Sequence, residues 1–305
     1  MSDRVVVIGD ALIDELRDDT GVREFVGGAA LNVAVGLTRL GVPTTLIAML
    51  GEDEAADHIR AYLADYGVDL IASPSELGSS RAVSTRSASG EPVYEFNAAA
   101  RARGIRFDDH VRTAIASARI VAVSCYPFDN VEQTRMLAEA LHESSGLLAI
   151  DPNPRSGMMS DPAEFVRGFE ALAADAELVK VGEDDAVLLY REPLDALRAR
   201  LVDLGVDAVL ATQGSSGATI EAGEIVVTRP ISDLPGRIVD TMGAGDAAFA
   251  ATVAALVEGW PADEDGWRAA LSRAMDVAAA TCRFEGALLR LPESLHGIDM
   301  DRIGT

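Results

Sequence analysis

The amino-acid sequence predicts an α/β fold, a three-layer α/β/α sandwich with a mostly parallel sheet and a small extra β piece. Short apolar, β-branched runs alternate with longer helix-like runs, the rhythm of strand–helix–strand units with helices on both faces of one sheet. The first run, Arg-Val-Val-Val-Ile-Gly at residues 4–9, reads as a buried strand. One stretch breaks the rhythm: strand-like runs at 80–88 and 92–96 meet at Ser89-Gly90, a hairpin signal that marks a protruding piece.

The elements follow in order. Asp10 and Asp14 stand just past the first strand. Residues 29–40 form a helix with an apolar face that stops at Gly41. After a β-rich run at 44–50, a helix at 54–66 ends at Gly67. Beyond the hairpin, strands are expected at 119–124, 146–150, 178–181 and 207–212, and helices at 131–143, 164–173, 184–190 and 193–204. A second hairpin at 219–228 turns at Ala222-Gly223, and two long small-residue helices, 244–258 and 264–283, close the core. No repeat, low-complexity tract or linker divides the 305 residues, so a single domain is expected over 1–305.

Hydrophobic residues make up 49% and charged residues 25%, enough to build a sizeable core in a globular protein. The formal net charge of −23 repels nucleic acid and anionic membranes, and excludes both as expected partners. The same surface repels ATP in bulk, so a nucleotide site has to rely on local dipoles, Arg or a metal. Lys180 is the sole lysine, which reads as compositional bias, with high-salt adaptation as an alternative. Two cysteines, Cys125 and Cys282, make neither a disulfide framework nor a metal cluster. The apolar run at 5–8 is too short for a signal peptide, and no run is long enough to cross a bilayer, so a reducing cytoplasm is the expected location.

The chain is organised around residues 239–250, Val-Asp-Thr-Met-Gly-Ala-Gly-Asp-Ala-Ala-Phe-Ala. An extended lead-in runs into Gly243, Ala244 and Gly245, and a helix begins. A helix N-terminus has free N–H groups and the positive dipole end, and so attracts anions. The two glycines let a ligand approach the backbone. Asp246, in the first turn, is placed to take a proton while charge builds on a neighbouring group, as phosphoryl transfer to a hydroxyl requires. By itself the run is equally a Gly-rich turn with a favourable first-turn acid.

This stretch resembles the C-terminal signature of the ribokinase-like, or PfkB-type, carbohydrate kinases, Asp-Thr-x-Gly-Ala-Gly-Asp. Their N-terminal signature, a Gly-Gly pair, an Asn and a helix ending in Gly, is similar to Gly27, Gly28, Asn32 and Gly41 here. Two signatures in the right order are more specific than either alone, and the resemblance covers nearly the whole chain. It implies the ribokinase-like sandwich, with a β-lid drawn from about 11–26 and 80–103 that closes over the sugar and excludes water. It also implies ATP and Mg²⁺ as cofactors, a homodimer, and Asp246 as base, with the amides of 243–246 holding the phosphoryl charge. K⁺ is a further candidate cation.

The resemblance also distributes the other site residues. Asp10 and Asp14, at the edge where open parallel sheets bind ligands, would accept sugar hydroxyls together with Asn32, while Gly27 and Gly28 let the backbone approach. Asp151, Asn153 and Arg155, in Asp-Pro-Asn-Pro-Arg, resemble the Asp-Pro-Asn-x-Arg of the fructokinase and 2-keto-3-deoxygluconate kinase branches, and would face the sugar and the phosphate path; two prolines stiffen that turn. Lys180 to Asp185 stands where the family often has Asn-x-x-Glu or Ser-x-x-Glu. Gly182 and Asp185 replace those residues, and the shorter Asp185 suits Mg²⁺ through water. Thr212, Gly214 and Gly217 resemble the nucleotide loop Thr-x-Gly-x-x-Gly. Residues 275–287, with Met275, Ala279, Cys282 and Gly286-Ala287, resemble the adenine-side helix, although Met275 and Ala279 read equally well as core. The segment 96–103 is the least family-like and is expected to set specificity.

Fructose is the expected substrate, with ribose and 2-keto-3-deoxygluconate as alternatives. A nucleoside kinase of the same fold and a catalytically silent sensor are the rivals. A P-loop kinase is disfavoured because no G-x-x-x-x-G-K-[ST] occurs.

Overall fold

The computed structural model describes residues 3–18, 21–86 and 92–295; the turn expected at Ser89-Gly90 lies outside them. Its strands are β1 Val5–Gly9, β2 Leu12–Asp18, β3 Gly21–Gly27, β4 Thr44–Leu50, β5 Asp69–Pro74, β6 Ser80–Arg86, β7 Pro92–Phe96, β8 Ile120–Ser124, β9 Leu147–Asp151, β10 Leu178–Gly182, β11 Ala208–Thr212, β12 Ala218–Ala222 and β13 Ile225–Arg229. Its helices are α1 Ala29–Arg39, α2 Glu54–Asp65, α3 Ala98–Arg101, α4 Asp109–Ser117, α5 Val131–His142, α6 Pro162–Ala173, α7 Glu183–Asp185, α8 Leu194–Leu204, α9 Ala244–Glu258 and α10 Glu264–Thr281, with a π-helical turn, Ala186–Tyr190, after α7.

The main sheet runs in the order β13-β12-β11-β10-β9-β8-β1-β4-β5. From β11 to β5 all neighbours are parallel, and only β12 and β13 are antiparallel. Side chains alternate across the sheet and both faces are covered, which is why β1 is an unbroken apolar run. Val5 and Val7 enter the layer built by α1, α2, α9 and α10; Val6 and Ile8 enter the layer built by α4, α5, α6 and α8. The sandwich expected from the sequence is the one observed. β1 has β4 on one side and β8 on the other, so the strand order reverses there and the chain leaves the two strand ends in opposite directions.

A second sheet has the order β3-β2-β6-β7; in the chain β2 and β3 lie between β1 and α1, and β6 and β7 lie between β5 and α3. β2 pairs with β3 and β6 with β7 in antiparallel fashion, while β2 and β6 are parallel, so the piece is more than a hairpin.

The differences from expectation are local. The second hairpin turns at Gly223-Glu224, because Ala222 is still paired with Ile225. β5 and α4 carry too little signal to be read: β5 is an edge strand with its ends exposed, and α4 buries only Val111 and Ile115. α9 is apolar nearly all round because it lies between α1 and α10, and Gly36 of α1 allows that approach, since a Cβ there would stand 3.1 Å from Ala250 Cβ.

Candidate active site

Most helices here begin with their own cap. Asp53, Asn97, Asp108, Asn130, Asp161 and Asp263 each accept an amide of the first turn of the helix that follows. α1 and α9 do not: both start at a glycine, Gly28 and Gly243, with no side-chain cap. These are the two helices that carry the glycine signatures, and their N-termini meet at the carboxyl ends of the strands.

At α9, Ala244 donates to Thr241 O at 3.3 Å and Ala247 to Gly243 O at 2.8 Å, whereas the amides of Gly245 and Asp246 take no acceptor among the described residues. Two free, adjacent N–H groups at a helix start are an anion site. Of the amides expected from 243 to 246, that of Ala244 is the one with an acceptor among the described residues. Gly243 has φ 75°, and a Cβ there would stand 2.6 Å from Ala287 Cα. A Cβ on Gly245 would stand 3.1 Å from Lys180 Nζ, so the ammonium lies directly against the helix start. The loop feeding α9 rests on residues 282–287. Cys282 O accepts Val239 N at 2.8 Å, and Asp240 takes Met242 N on one oxygen and Gly286 N on the other.

Asp246 is buried. Its Oδ2 accepts Nδ2 of Asn32 at 2.9 Å, and its Oδ1 accepts Nδ2 of Asn153 at 3.4 Å. Burial raises its pKa, and the Asn32 hydrogen bond and the charges of Lys180 and Arg155 oppose the rise. Asn153 is buried with φ 38°, a backbone region that Asn tolerates, between Pro152 and Pro154. Arg155, next along, is exposed. Among the described residues its guanidinium has no ion-pair partner, and its charge lowers the pKa values of Asp10, Asp14 and Asp246.

Asp10 accepts Ala30 N at 3.0 Å, so one of its oxygens supplies the cap that Gly28 cannot. Gly28 has φ 110°, and a Cβ there would press on Asp10 O at 2.8 Å; a Cβ on Gly27 would stand 2.3 Å from Asp14 Oδ2. The glycine pair thus makes room for both acids. Burial, with Asp10 nearby, pushes the Asp14 carboxyl up to about 6, against the pull of Arg155.

Lys180 Nζ sits 3.1 and 3.2 Å from the two oxygens of Asp151, and both residues are buried. Burial disfavours the ammonium, but the carboxylates of Asp151, Asp185 and Asp246 outweigh it and raise the Lys180 pKa. Asp185 is buried with Oδ2 accepting Gly182 N at 2.7 Å. Gly182 pairs with Thr212, whose hydroxyl donates to Val181 O at 3.3 Å, so the loop through Gly214 and Gly217 adjoins the Lys180–Asp185 turn. Gly217 is required by packing, since a Cβ would stand 2.0 Å from Arg229 O. Met275 and Ala279 are both buried on α10, and Met275 belongs to the α1–α9–α10 layer. Among the described residues no group of three His, Cys, Asp or Glu could hold a metal. Mg²⁺ needs no such cage, because it keeps several waters and takes one or two carboxylates plus substrate phosphates. The carboxylate of Asp185, in the turn beside the loop through Thr212, Gly214 and Gly217, fits that habit.

Two residues of this region were not legible in the sequence. Ser124 ends β8 opposite Asp151, and its hydroxyl is buried without a partner. Arg103 is buried beside Asp10. Their only sequence signal is position, Ser124 at a strand end and Arg103 within the segment expected to set specificity.

A buried carboxylate under a glycine-led helix start, with two free amides and a lysine beside it, is the kind of arrangement that phosphoryl transfer to a hydroxyl calls for. The family model described as pfkB family carbohydrate kinase matches residues 2–293, and the chain belongs to that family. It is an ATP-dependent carbohydrate kinase. It is 24% identical over 303 residues to the ATP-dependent 6-phosphofructokinase of Thermoanaerobacterium thermosaccharolyticum, covering 95% of this chain and 91% of that one. It is 27% identical over 307 residues to the fructokinase of Klebsiella pneumoniae, covering 96% and 97%. Its structure superposes with a TM-score of 0.77 on the aminoimidazole riboside kinase of Salmonella enterica complexed with aminoimidazole riboside and an ATP analog, at 26% identity over 96% of this chain and 98% of that one. Among the described residues no helix is long and apolar enough to cross a membrane.

Proposed function

We propose that this kinase transfers the γ-phosphate of ATP to a hydroxyl of fructose. The observation that carries the reading is the Asn32–Asp246 hydrogen bond, which joins the glycine–asparagine helix start to the candidate base, within the electrostatic reach of Asp10 and Arg155. The sugar lies over Asp14, Asp10 and Gly27-Gly28 and turns one hydroxyl to Asp246. Asp246 takes the proton as the hydroxyl attacks. The Gly245 and Asp246 amides and the Lys180 ammonium hold the charge that develops on the transferring group. Arg155 faces the same path. ATP lies along Thr212 to Gly217 towards α9. Asp185 would hold Mg²⁺ through water, and the ion would supply charge neutralisation to the nucleotide phosphates. The small sheet acts as the lid, and the protein works as a homodimer.

Fructose is favoured by Gly9 to Asp14, by Asp151 to Arg155 and by Cys282 with Gly286-Ala287, each of which resembles the fructokinase branch. The paired acids suit a neutral polyhydroxylated sugar. A coupled ADP-release assay tests this with fructose, ribose, 2-keto-3-deoxygluconate, adenosine and fructose 6-phosphate, with and without K⁺. Sites that hydrogen-bond hydroxyls discriminate by up to about 10⁴-fold, so fructose should stand clear in kcat/KM. A lower value for fructose than for ribose, the keto acid or the sugar phosphate rejects fructose and keeps the kinase. No ADP release with any acceptor rejects the kinase.

A further inference from the structure

Arg103 lies between α3 and β8 and is only 6% exposed. A buried guanidinium needs its N–H groups accepted. Here the acceptors are backbone carbonyls from three separate segments: Nε donates to Cys125 O at 3.3 Å, and Nη1 to Ala100 O at 3.3 Å and to Met158 O at 3.2 Å. Cys125 is the first residue past β8 and has φ 50°, so the guanidinium braces a backbone turn that few L residues adopt. Met158 closes the turn begun by Arg155, its amide donating to Arg155 O at 2.9 Å. Ala100 belongs to α3, which follows β7 of the small sheet. Those three residues also meet in an apolar cluster with Ala29, against which Phe96 of β7 packs. Gly157 is required beneath that ring, since a Cβ would stand 2.6 Å from Phe96 Cδ2.

Among the described residues no carboxylate forms an ion pair with Arg103. It lines the same pocket as Gly9, Asp10 and Tyr126. The groups that face Asp10 are the Ala30 amide, the guanidiniums of Arg103 and Arg155, the carboxylates of Asp14 and Asp246, and the Cys125 thiol. Burial raises the Asp10 pKa, and Arg103 and Arg155 act against it.

We propose that Arg103 is a positioning residue for the sugar: it fixes the Cys125 and Arg155–Met158 turns to the root of the small sheet and supplies one of the two positive charges facing Asp10. This rests on the sugar-kinase reading above. A structural tie alone would need only the hydrogen bonds, whereas the assigned role also needs the charge.

The test uses the full chain with Arg103→Met, which keeps the stem and removes charge and donors, and Arg103→Lys, which keeps the charge and loses the fork. Arg103→Met should raise KM for the sugar about 10- to 100-fold and leave KM for ATP within about twofold. It should also move the acid limb of 1/KM for the sugar to higher pH, because Asp10 then protonates more readily. Arg103→Lys should raise the sugar KM by about fivefold or more with the limb unmoved. Where Arg103→Met fails to fold, the Arg103→Lys readings decide. A sugar KM and pH limb at wild-type values in either folded variant overturns the proposal, except for the limb of Arg103→Lys, where no shift is expected. So does a rise in KM for ATP that matches the rise for the sugar. A wild-type protein that phosphorylates no sugar overturns the parent reading and this one together, whereas an active wild type with unaffected variants overturns only the role of Arg103.

Discussion

The side-chain amide of Asn32 donates to Oδ2 of Asp246 at 2.9 Å, so the glycine-led N-termini of α1 and α9 are tied together through one carboxylate. Asn153 reaches the other oxygen at 3.4 Å. The candidate base is thereby held in one orientation before any ligand arrives.

Replacement of Asp246 by Asn keeps an oxygen to accept from Asn32 but cannot take the proton. Turnover should fall about 10²–10⁴-fold with sugar and ATP affinity nearly unchanged. Calorimetric titration of both ligands beside a kcat measurement checks this, and a kcat near wild type would refute Asp246 as the base.

Asp14 makes sugar binding and stability depend on pH in opposite senses. Its carboxyl is raised from 3.8 to about 6 by burial and by Asp10, so sugar affinity should weaken as pH falls through about 6. The stability sign is opposite. The folded form holds this proton more tightly than the unfolded chain, so the contribution of Asp14 is present below about pH 4 and lost as pH rises through about 6. Asp14→Asn should therefore raise Tm at pH 8 more than at pH 4.5, while raising KM for the sugar and sparing KM for ATP. A selective loss of ATP affinity would reverse the assignment of the two halves of the site.

The two glycines of α9 should fail in different ways. At Gly243 an added Cβ meets the Ala287 backbone at 2.6 Å with φ 75°, so Gly243→Ala should lower Tm, at a cost of about 1–3 kcal/mol. At Gly245 the Cβ meets the ammonium of Lys180, which is paired with Asp151, at 3.1 Å. Gly245→Val should lose turnover even where the fold survives, because the ammonium is displaced and the free amides are shielded, and it should lose stability only as far as Asp151 is left without its partner. Thermal melts read against kcat separate the two, and unchanged turnover in Gly245→Val would reduce that glycine to a turn.

Lys180→Met leaves Asp151 buried and unpaired, which should cost about 3–5 kcal/mol of stability. Lys180→Met with Asp151→Asn should recover much of the Tm but not the turnover, since the charge at the α9 start stays absent. Recovery of turnover in the double variant would confine Lys180 to a structural role.

The main sheet was legible because each parallel strand is buried on both faces, so Val5 to Ile8 and Thr44 to Leu50 carry an apolar signal that needs no partner to be read. Edge and peripheral elements carry half that signal, and β5 and α4 were missed for that reason. The glycine signatures were legible because φ at Gly28 and Gly243 admits few other residues, and the type of residue alone announces the turn. Partners were not legible. Nothing in the order of residues says that Asn32 faces Asp246, that the sole lysine neutralises Asp151 against Gly245, that Asp10 caps α1, or that Arg103 is buried beside Asp10. Those relationships depend on the reversal of strand order at β1, which brings the ends of β1, β8, β9 and β10 to one edge of the sheet and sets two helix starts above them. The elements and the chemistry they carry can be read from the order of residues, because backbone propensity and burial act locally. Which charge meets which was decided by the tertiary structure, because electrostatic and hydrogen-bond energies depend on distances that only the packed sheet defines.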